Sequence, residues 1–160
     1  MSAPLQIRLL RADEVEAGYT VIDAAFERYL ALIGKSIDDA PNPYAYLSEA
    51  VPDGRAWAAL LDGTLVGVAL VDDVSADHWQ IDLVGVLEHH AKAGIGRGLM
   101  KRVEADARRR GVIKLTLNTL EVAHWLWAFY ESLGFRITRR GPPKHGLDAH
   151  NRVFMEKRLR

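Results

Sequence analysis

The chain has no cysteine among its 160 residues. That excludes a disulfide scaffold, a thiolate metal site and a cysteine nucleophile, and it fits a reducing compartment such as the cytoplasm. Long apolar runs are missing as well. No stretch approaches the roughly 18 apolar residues of a membrane span, and residues 1–11 lack the apolar core of a secretory signal. Net charge is zero, with 21 basic against 21 acidic residues, whereas a nucleic-acid-binding domain carries an excess of Lys and Arg. Repeats and low-complexity tracts are absent too. What remains is an ordinary globular composition, 49% apolar and 26% charged. Its length suits one domain over residues 1–160 with a core large enough to need no staples.

The charge is unevenly spread. Residues 1–90 hold 15 acidic and 5 basic residues, and residues 91–160 hold 16 basic and 6 acidic ones. Either the two halves attract each other, or the second half meets something anionic.

Apolar spacing predicts the elements. Residues 6–10 read as a strand. Val15, Tyr19, Ile22, Phe26, Tyr29 and Ile33 recur at steps of four and three, one face of a helix that Gly34 ends. Residues 44–51 read as a second, short helix after a loop at 36–43. Residues 56–61 and 64–71 flank Asp62-Gly63, the signature of a hairpin whose two turn residues need positive φ. An acidic loop is expected at 72–78, then a strand at 79–86 covered on both faces. Ile95, Leu99, Val103 and Ala107 mark the buried stripe of a third helix. Arg108, Arg109 and Arg110 close it before Gly111, where cations complement the helix dipole. Strands are expected at 113–117, 135–139 and 153–159, with a helix at 124–132 ended by Gly134 and a loop at 140–151. The predicted order is β-α-α-β-β-β-α-β-α-β-β.

The segment from Val84 to Met100 carries chemistry. A strand leads through His89, His90 and Lys92 into a helix start, Gly94-Ile95-Gly96-Arg97-Gly98, whose first turn has no acidic residue. Its orphan N–H groups and the helix dipole suit a phosphate or pyrophosphate, and the glycines admit close approach. Tight packing of a Gly-rich helix on the sheet is the competing reading. The spacing fits neither a dinucleotide fingerprint nor a P-loop.

The run Val86-Leu87-Glu88-His89-His90-Ala91-Lys92-Ala93-Gly94-Ile95-Gly96-Arg97-Gly98-Leu99-Met100 resembles the acyl-CoA motif, Arg/Gln-x-x-Gly-x-Gly/Ala, of the GNAT superfamily of N-acetyltransferases. Downstream, Ala128-Phe129-Tyr130-Glu131-Ser132-Leu133-Gly134-Phe135 resembles the family's second signature, Phe-Tyr-x-x-x-Gly-Phe. The closing Arg152-Val153-Phe154-Met155-Glu156-Lys157 is similar to its last strand. The likeness spans nearly the whole chain in element order. Three positions depart: Ala91 replaces the motif's Arg or Gln, Glu88 a common Pro, and Ala123 a frequent Asn. Lys92 and Arg97 are the expected compensation for Ala91.

The resemblance implies an α/β, GNAT-like fold, a central mixed sheet of roughly six to seven strands with about four helices packed on it. It implies transfer of an acetyl group from acetyl-CoA, as co-substrate, to a primary amine of a small molecule or peptide, by direct attack in a ternary complex. No metal, nucleic acid or membrane is implied, and monomer and homodimer both fit. A non-catalytic CoA-binding sensor or assembly domain is the competing reading, which Ala91 favours and Tyr130 opposes. The implied cofactor-binding set is Val84, Gly85, Val86, Ala91, Lys92, Ala93, Gly94, Ile95, Gly96, Arg97, Asn118 and Tyr130. A strand bulge is expected around residues 84–86, with Gly85 suited to it and the pantetheine arm added like a strand. Tyr130, with an ordinary pKa of about 10, is the expected acid for the departing thiolate.

Asp82 is the expected base, since a carboxyl on an apolar strand has its pKa raised. Alternation places Gln80, Asp82 and Val84 on one face, unless a bulge shifts the register. His78, His89, His90, His124, His145 and His150 are alternatives, and no His pair argues for a metal. Phe26, Tyr29, Tyr44, Tyr46 and His145 are the expected acceptor-side residues, with the acidic first half drawing a cationic amine.

Overall fold

The computed structural model describes residues 4–35, 46–90, 94–143 and 150–160. Its strands are β1 (Leu5–Leu9), β2 (Ala56–Leu61), β3 (Thr64–Ser75), β4 (His78–Val86), β5 (Lys114–Leu120), β6 (Arg136–Gly141) and β7 (Arg152–Arg158). Its helices are α1 (Val15–Ala31), α2 (Leu47–Ala50), α3 (Ile95–Arg109) and α4 (His124–Ser132), with single 3-10 turns at Ala12–Glu14 and Glu88–His90. The strands form one mixed sheet in the order β1-β2-β3-β4-β5-β7-β6. Every neighbouring pair is antiparallel except β4 and β5. No helix among the described residues is long and apolar enough to cross a membrane.

Strand β2 shows why both faces are covered. Trp57 and Ala59 enter one core with Leu99, Val103, Leu115 and Met155 on the α3 side. Ala56, Ala58 and Leu60 enter a second core with Val21, Ile22 and Leu47 on the α1 side. A period of two with apolar residues at both phases is the pattern of a strand buried on both sides. The hairpin forms as the Asp62-Gly63 pair predicts, with φ of 51° and 78° at the two turn residues. The stripe Ile95, Leu99, Val103 and Ala107 is fully buried.

The expected acidic loop at 72–78 is instead strand. β3 runs on to Ser75, pairing Asp72 with Gln80 and Asp73 with Trp79, and only two residues turn the chain back. The acidic side chains misled because the ladder uses backbone groups while the carboxylates stand in solvent. Arg55, itself buried, reaches Asp73 at 3.7 Å. β5 likewise extends to Leu120, three residues past the expected end. The 108–110 arginines go to protein acceptors: Arg108 to Glu104 at 3.0 Å, Arg109 to Asp106 at 2.7 Å and Arg110 to the Gly54 carbonyl at 3.1 Å.

Candidate active site

β4 and β5 pair at His78–Lys114, Trp79–Leu115 and Gln80–Thr116, and no further. Beyond that point β4 stays with β3 and β5 with β7, so the two strands part toward their C-terminal ends. A bulge sits where they part. Leu70 pairs with Leu83 and Val71 with Ile81, which leaves Asp82 as the extra residue on β4. A bulge bends its strand and adds local twist, which turns β4 away from its parallel neighbour.

The bulge therefore lies earlier than residues 84–86, where it was expected. Gly85 does different work: α1 comes so close that a Cβ at 85 would lie 2.9 Å from that of Ala25. The bulge also swaps the faces. Asp82 keeps to the α1 and α2 side, where Tyr46 meets it, while Val84 and Val86 join Trp79 and Ile81 on the α3 side. Simple alternation put Val84 with Asp82, and the extra residue undoes that.

The backbone of the open edge follows from one hydrogen bond. Leu87 N–H donates to the Val66 carbonyl on β3 at 2.9 Å. Alternation then turns the polar groups of Gly85 to β3 and those of Val84 and Val86 to the open edge. Two adjacent residues of α1 reach this opening from above. Arg28 donates to the Val86 carbonyl on one wall. The Tyr29 hydroxyl accepts from Leu120 N–H of β5 at 2.8 Å on the other.

On the α3 side the opening meets a helix N-terminus. Gly94 caps α3 with φ of 76° and open space around it, a left-handed conformation that favours glycine. The bond from Gly98 N–H to the Gly94 carbonyl, at 3.0 Å, is the first of the helix. It leaves the N–H groups of Ile95, Gly96 and Arg97 without intrahelical acceptors, and no acidic residue sits in the turn. A side chain at Gly96 would point between Phe129, Val84 and Val86, so this turn borders the unpaired stretch of β4. Arg97 aims elsewhere, donating to Ser132 Oγ at 2.9 Å with its guanidinium 5.7 Å from the Phe129 ring. These residues fit an anionic, extended ligand: orphan donors at one end and, leading inward, a strand edge that β5 leaves unpaired and on which only the Val86 carbonyl is taken, by Arg28. Ala91, Lys92 and Ala93 lie outside the described residues.

Tyr130 is held by edge contacts to Phe129 and Phe135, with ring centres at 5.2 and 5.7 Å. Its hydroxyl makes no hydrogen bond among the described residues. Burial, with the Tyr29 phenol beside it, pushes its pKa well above the ordinary tyrosine range. The hydroxyl stays protonated and so keeps a proton to donate. Asp82 accepts from Tyr46 and, at 3.1 Å, from Gln80. Burial raises its pKa, while the Tyr46 and Gln80 bonds pull part of the rise back.

The other expected residues separate. Tyr29 and Tyr46 come to the opening, and Phe26 is buried one turn before Tyr29 on α1. Asn118 shares the Lys114 and Thr116 face of β5, opposite the core side of Leu115 and Leu117. His78 contacts Thr116 Oγ1 at 2.7 Å near the closed end of the seam, its pKa lowered by burial and by Lys114. His124 packs 5.3 Å from Trp127 and is exposed, as is His150. His90 stands in the 3-10 turn after β4. Tyr44, His145 and the side chain of His89 lie outside the described residues. Arg28 was not foreseen, although its being the one basic residue within α1 was a readable signal.

Comparison with known proteins agrees with this geometry. The acetyltransferase (GNAT) family description matches residues 19–135. The IAA acetyltransferase of Azospirillum brasilense is 34% identical over 112 residues, 69% of this chain and 71% of that protein. The uncharacterized N-acetyltransferase YsnE of Bacillus subtilis (strain 168) is 27% identical over 110 residues, 68% and 72% of the two chains. The fold is that of the PaiA N-acetyltransferase of Thermoplasma acidophilum, solved in complex with coenzyme A. There the TM-score is 0.81 at 17% identity, covering 97% of this chain and 99% of that one. With the family's motifs on the strand edge, helix start and tyrosine described above, the chain belongs to the GNAT family of acetyltransferases and is an acyltransferase.

Proposed function

We propose that the protein transfers an acetyl group from acetyl-CoA to the amine of a small molecule or peptide. The observation that carries this is the parting of β4 and β5 after three paired residues, directly beside the acid-free start of α3. The N–H groups of residues 95–97 would hold the pyrophosphate, and the edge groups of Val84 with the Val86 N–H would align the pantetheine arm as an added strand, the Val86 carbonyl being held by Arg28. Acetyl-CoA supplies the activated acetyl group as its thioester. N–H donors on the β4 edge would meet negative charge developing at the acyl oxygen. Tyr130, protonated at rest, would give its proton to the departing sulfur and regain one from solvent before the next turnover. Asp82, on the face toward α1 and α2, takes the proton that the amine must lose, directly or through water. Two groups of opposite proton duty at one opening favour catalysis over a sensing role.

The test is release of CoA thiol from acetyl-CoA with a panel of amines, paired with calorimetry of CoA binding. Gly96→Asp places negative charge and bulk among Phe129, Val84 and Val86, and CoA affinity should collapse. Unchanged affinity would move the binding site away from α3.

A further inference from the structure

Resting on that acetyltransferase reading, we propose that Arg28 makes the enzyme selective for amines that also carry a carboxylate, such as amino acids or peptides with a free C-terminus. Arg28 is half-buried at the open edge of β4, and among the described residues its one polar partner is the Val86 carbonyl. It has no carboxylate within ion-pair distance among the described residues. Four other buried or part-buried cations do have a carboxylate partner. Arg8 grips Glu14 through two bonds of 2.8 Å, Arg55 lies 3.3 Å from Asp53, Arg102 3.0 Å from Asp106, and Lys157 2.8 Å from Glu104.

A cation partly withdrawn from water is costly without a countercharge. Among the described residues the groups around the opening do not supply one. Tyr130 is a phenol that burial keeps protonated, and Tyr29 offers its hydroxyl to Leu120 N–H. Asp82 already takes two hydrogen bonds, from Tyr46 and Gln80, and makes no ion pair with Arg28. One guanidinium nitrogen is engaged at Val86, so most of the planar fork remains. A fork of N–H donors beside a polar opening is the geometry that binds a carboxylate in two parallel bonds. Position supports this. Arg28 enters from α1, the same face of the sheet as Asp82 and Tyr46, where the acceptor's amine would lose its proton. The α3 cradle for the phosphates lies on the opposite face.

The experiment compares wild type, Arg28→Ala, Arg28→Gln and Arg28→Lys. Each is assayed by thiol release with the common amino acids and glycyl dipeptides, and with the same compounds as carboxamides. Calorimetry with CoA, and with N-acetylated acids against their amides, gives a readout independent of turnover. Wild type should prefer acids. Arg28→Ala and Arg28→Gln should lose about 10–100-fold in kcat/KM on acids, as expected for one charged hydrogen-bonding partner. Their activity on amides and their CoA affinity should be retained. Gln still offers a donor to Val86, so it separates a structural tether from recognition of charge. Lys should recover part of the loss as a point charge. Free amino acids and dipeptides distinguish the two carboxylate sources. Equal loss on acids and amides, no acid preference in wild type, or a fall in CoA affinity would each overturn the proposal. If no amine raises thiol release by wild type above the rate without amine, the acetyltransferase reading fails instead. Selective binding of the N-acetylated acids that Arg28→Ala abolishes would then still support the site, and its absence would end it.

Discussion

Tyr46 donates its phenolic proton to Asp82, tying helix α2 to the bulge of β4. The bond makes the pKa of Asp82 adjustable from a neighbouring element. Burial raises that pKa and the Tyr46 bond lowers it. If Asp82 is the base, kcat should rise with pH through an apparent pKa above the ordinary carboxylate range. Tyr46→Phe should move this limb to higher pH, and Asp82→Asn should remove it while sparing CoA affinity. Profiles of kcat against pH decide the point, and an Asn variant with an unaltered profile would pass the role to another group.

The same shift has a thermodynamic sign. A carboxyl whose folded pKa exceeds its unfolded value of 3.8 favours the fold below that value. Its contribution is lost as pH rises from there through the folded pKa. Near neutral pH the charged Asp82 is therefore a burden, and Asp82→Asn should melt no lower than wild type at pH 7. Melting curves from pH 4 to pH 8 would show the two proteins diverging in the variant's favour as pH rises.

Tyr130→Phe removes only a hydroxyl that makes no hydrogen bond among the described residues. Stability and CoA affinity should hold, while turnover falls by about 10²–10³-fold, the range of a lost general acid. An unchanged rate with the best acceptor would mean that solvent protonates the sulfur.

Asp106 is nearly buried and accepts from Trp57 Nε1 at 2.8 Å, Arg102 at 3.0 Å and Arg109 at 2.7 Å. These partners outweigh burial and hold its pKa below the usual range. Its stabilisation is present above the ordinary aspartate pKa and lost as pH falls toward the folded value. Asp106→Ala should cost about 1–3 kcal/mol, because it strands the buried indole N–H of Trp57 while the exposed arginines turn to water. Urea titration at pH 7 measures it, and a loss below 1 kcal/mol, roughly one neutral hydrogen bond, would contradict the account.

Gly85→Ala brings a Cβ to 2.9 Å from Ala25. Helix α1 must shift or the core must strain, at about 1–3 kcal/mol. Arg28 and Tyr29 ride on that helix, so acceptor KM should rise more than CoA Kd. A change in CoA Kd alone would place the damage on the β4 edge instead.

Much of this was readable beforehand. The helix stripe of α3, the Asp62-Gly63 turn and the two family motifs are local patterns, and local patterns survive folding. The bulge at Asp82 was not readable at its position. Nothing in Gln80-Ile81-Asp82-Leu83 marks an extra residue, since the misfit belongs to the pairing with Leu70 and Val71. The reach of Arg28 to Val86 spans 58 residues of sequence and depends on how α1 crosses the sheet. Asp72 and Asp73 looked like loop because composition reports on side chains, whereas a ladder is made by the backbone.

Helix α3 belongs in sequence to the basic half of the chain, yet it packs on β1 to β4 of the acidic half. From its outer side Glu104 holds Lys157 of β7 at 2.8 Å, and Arg108 donates to the Leu159 carbonyl. One rod is thus pinned to both sides of the wedge between β4 and β5. The wedge cannot gape or shut unless those pins let go, so its width is a property of the scaffold rather than of its guests. A slot of fixed gauge spends little of its binding energy on ordering itself, which leaves more of it for aligning amine and thioester.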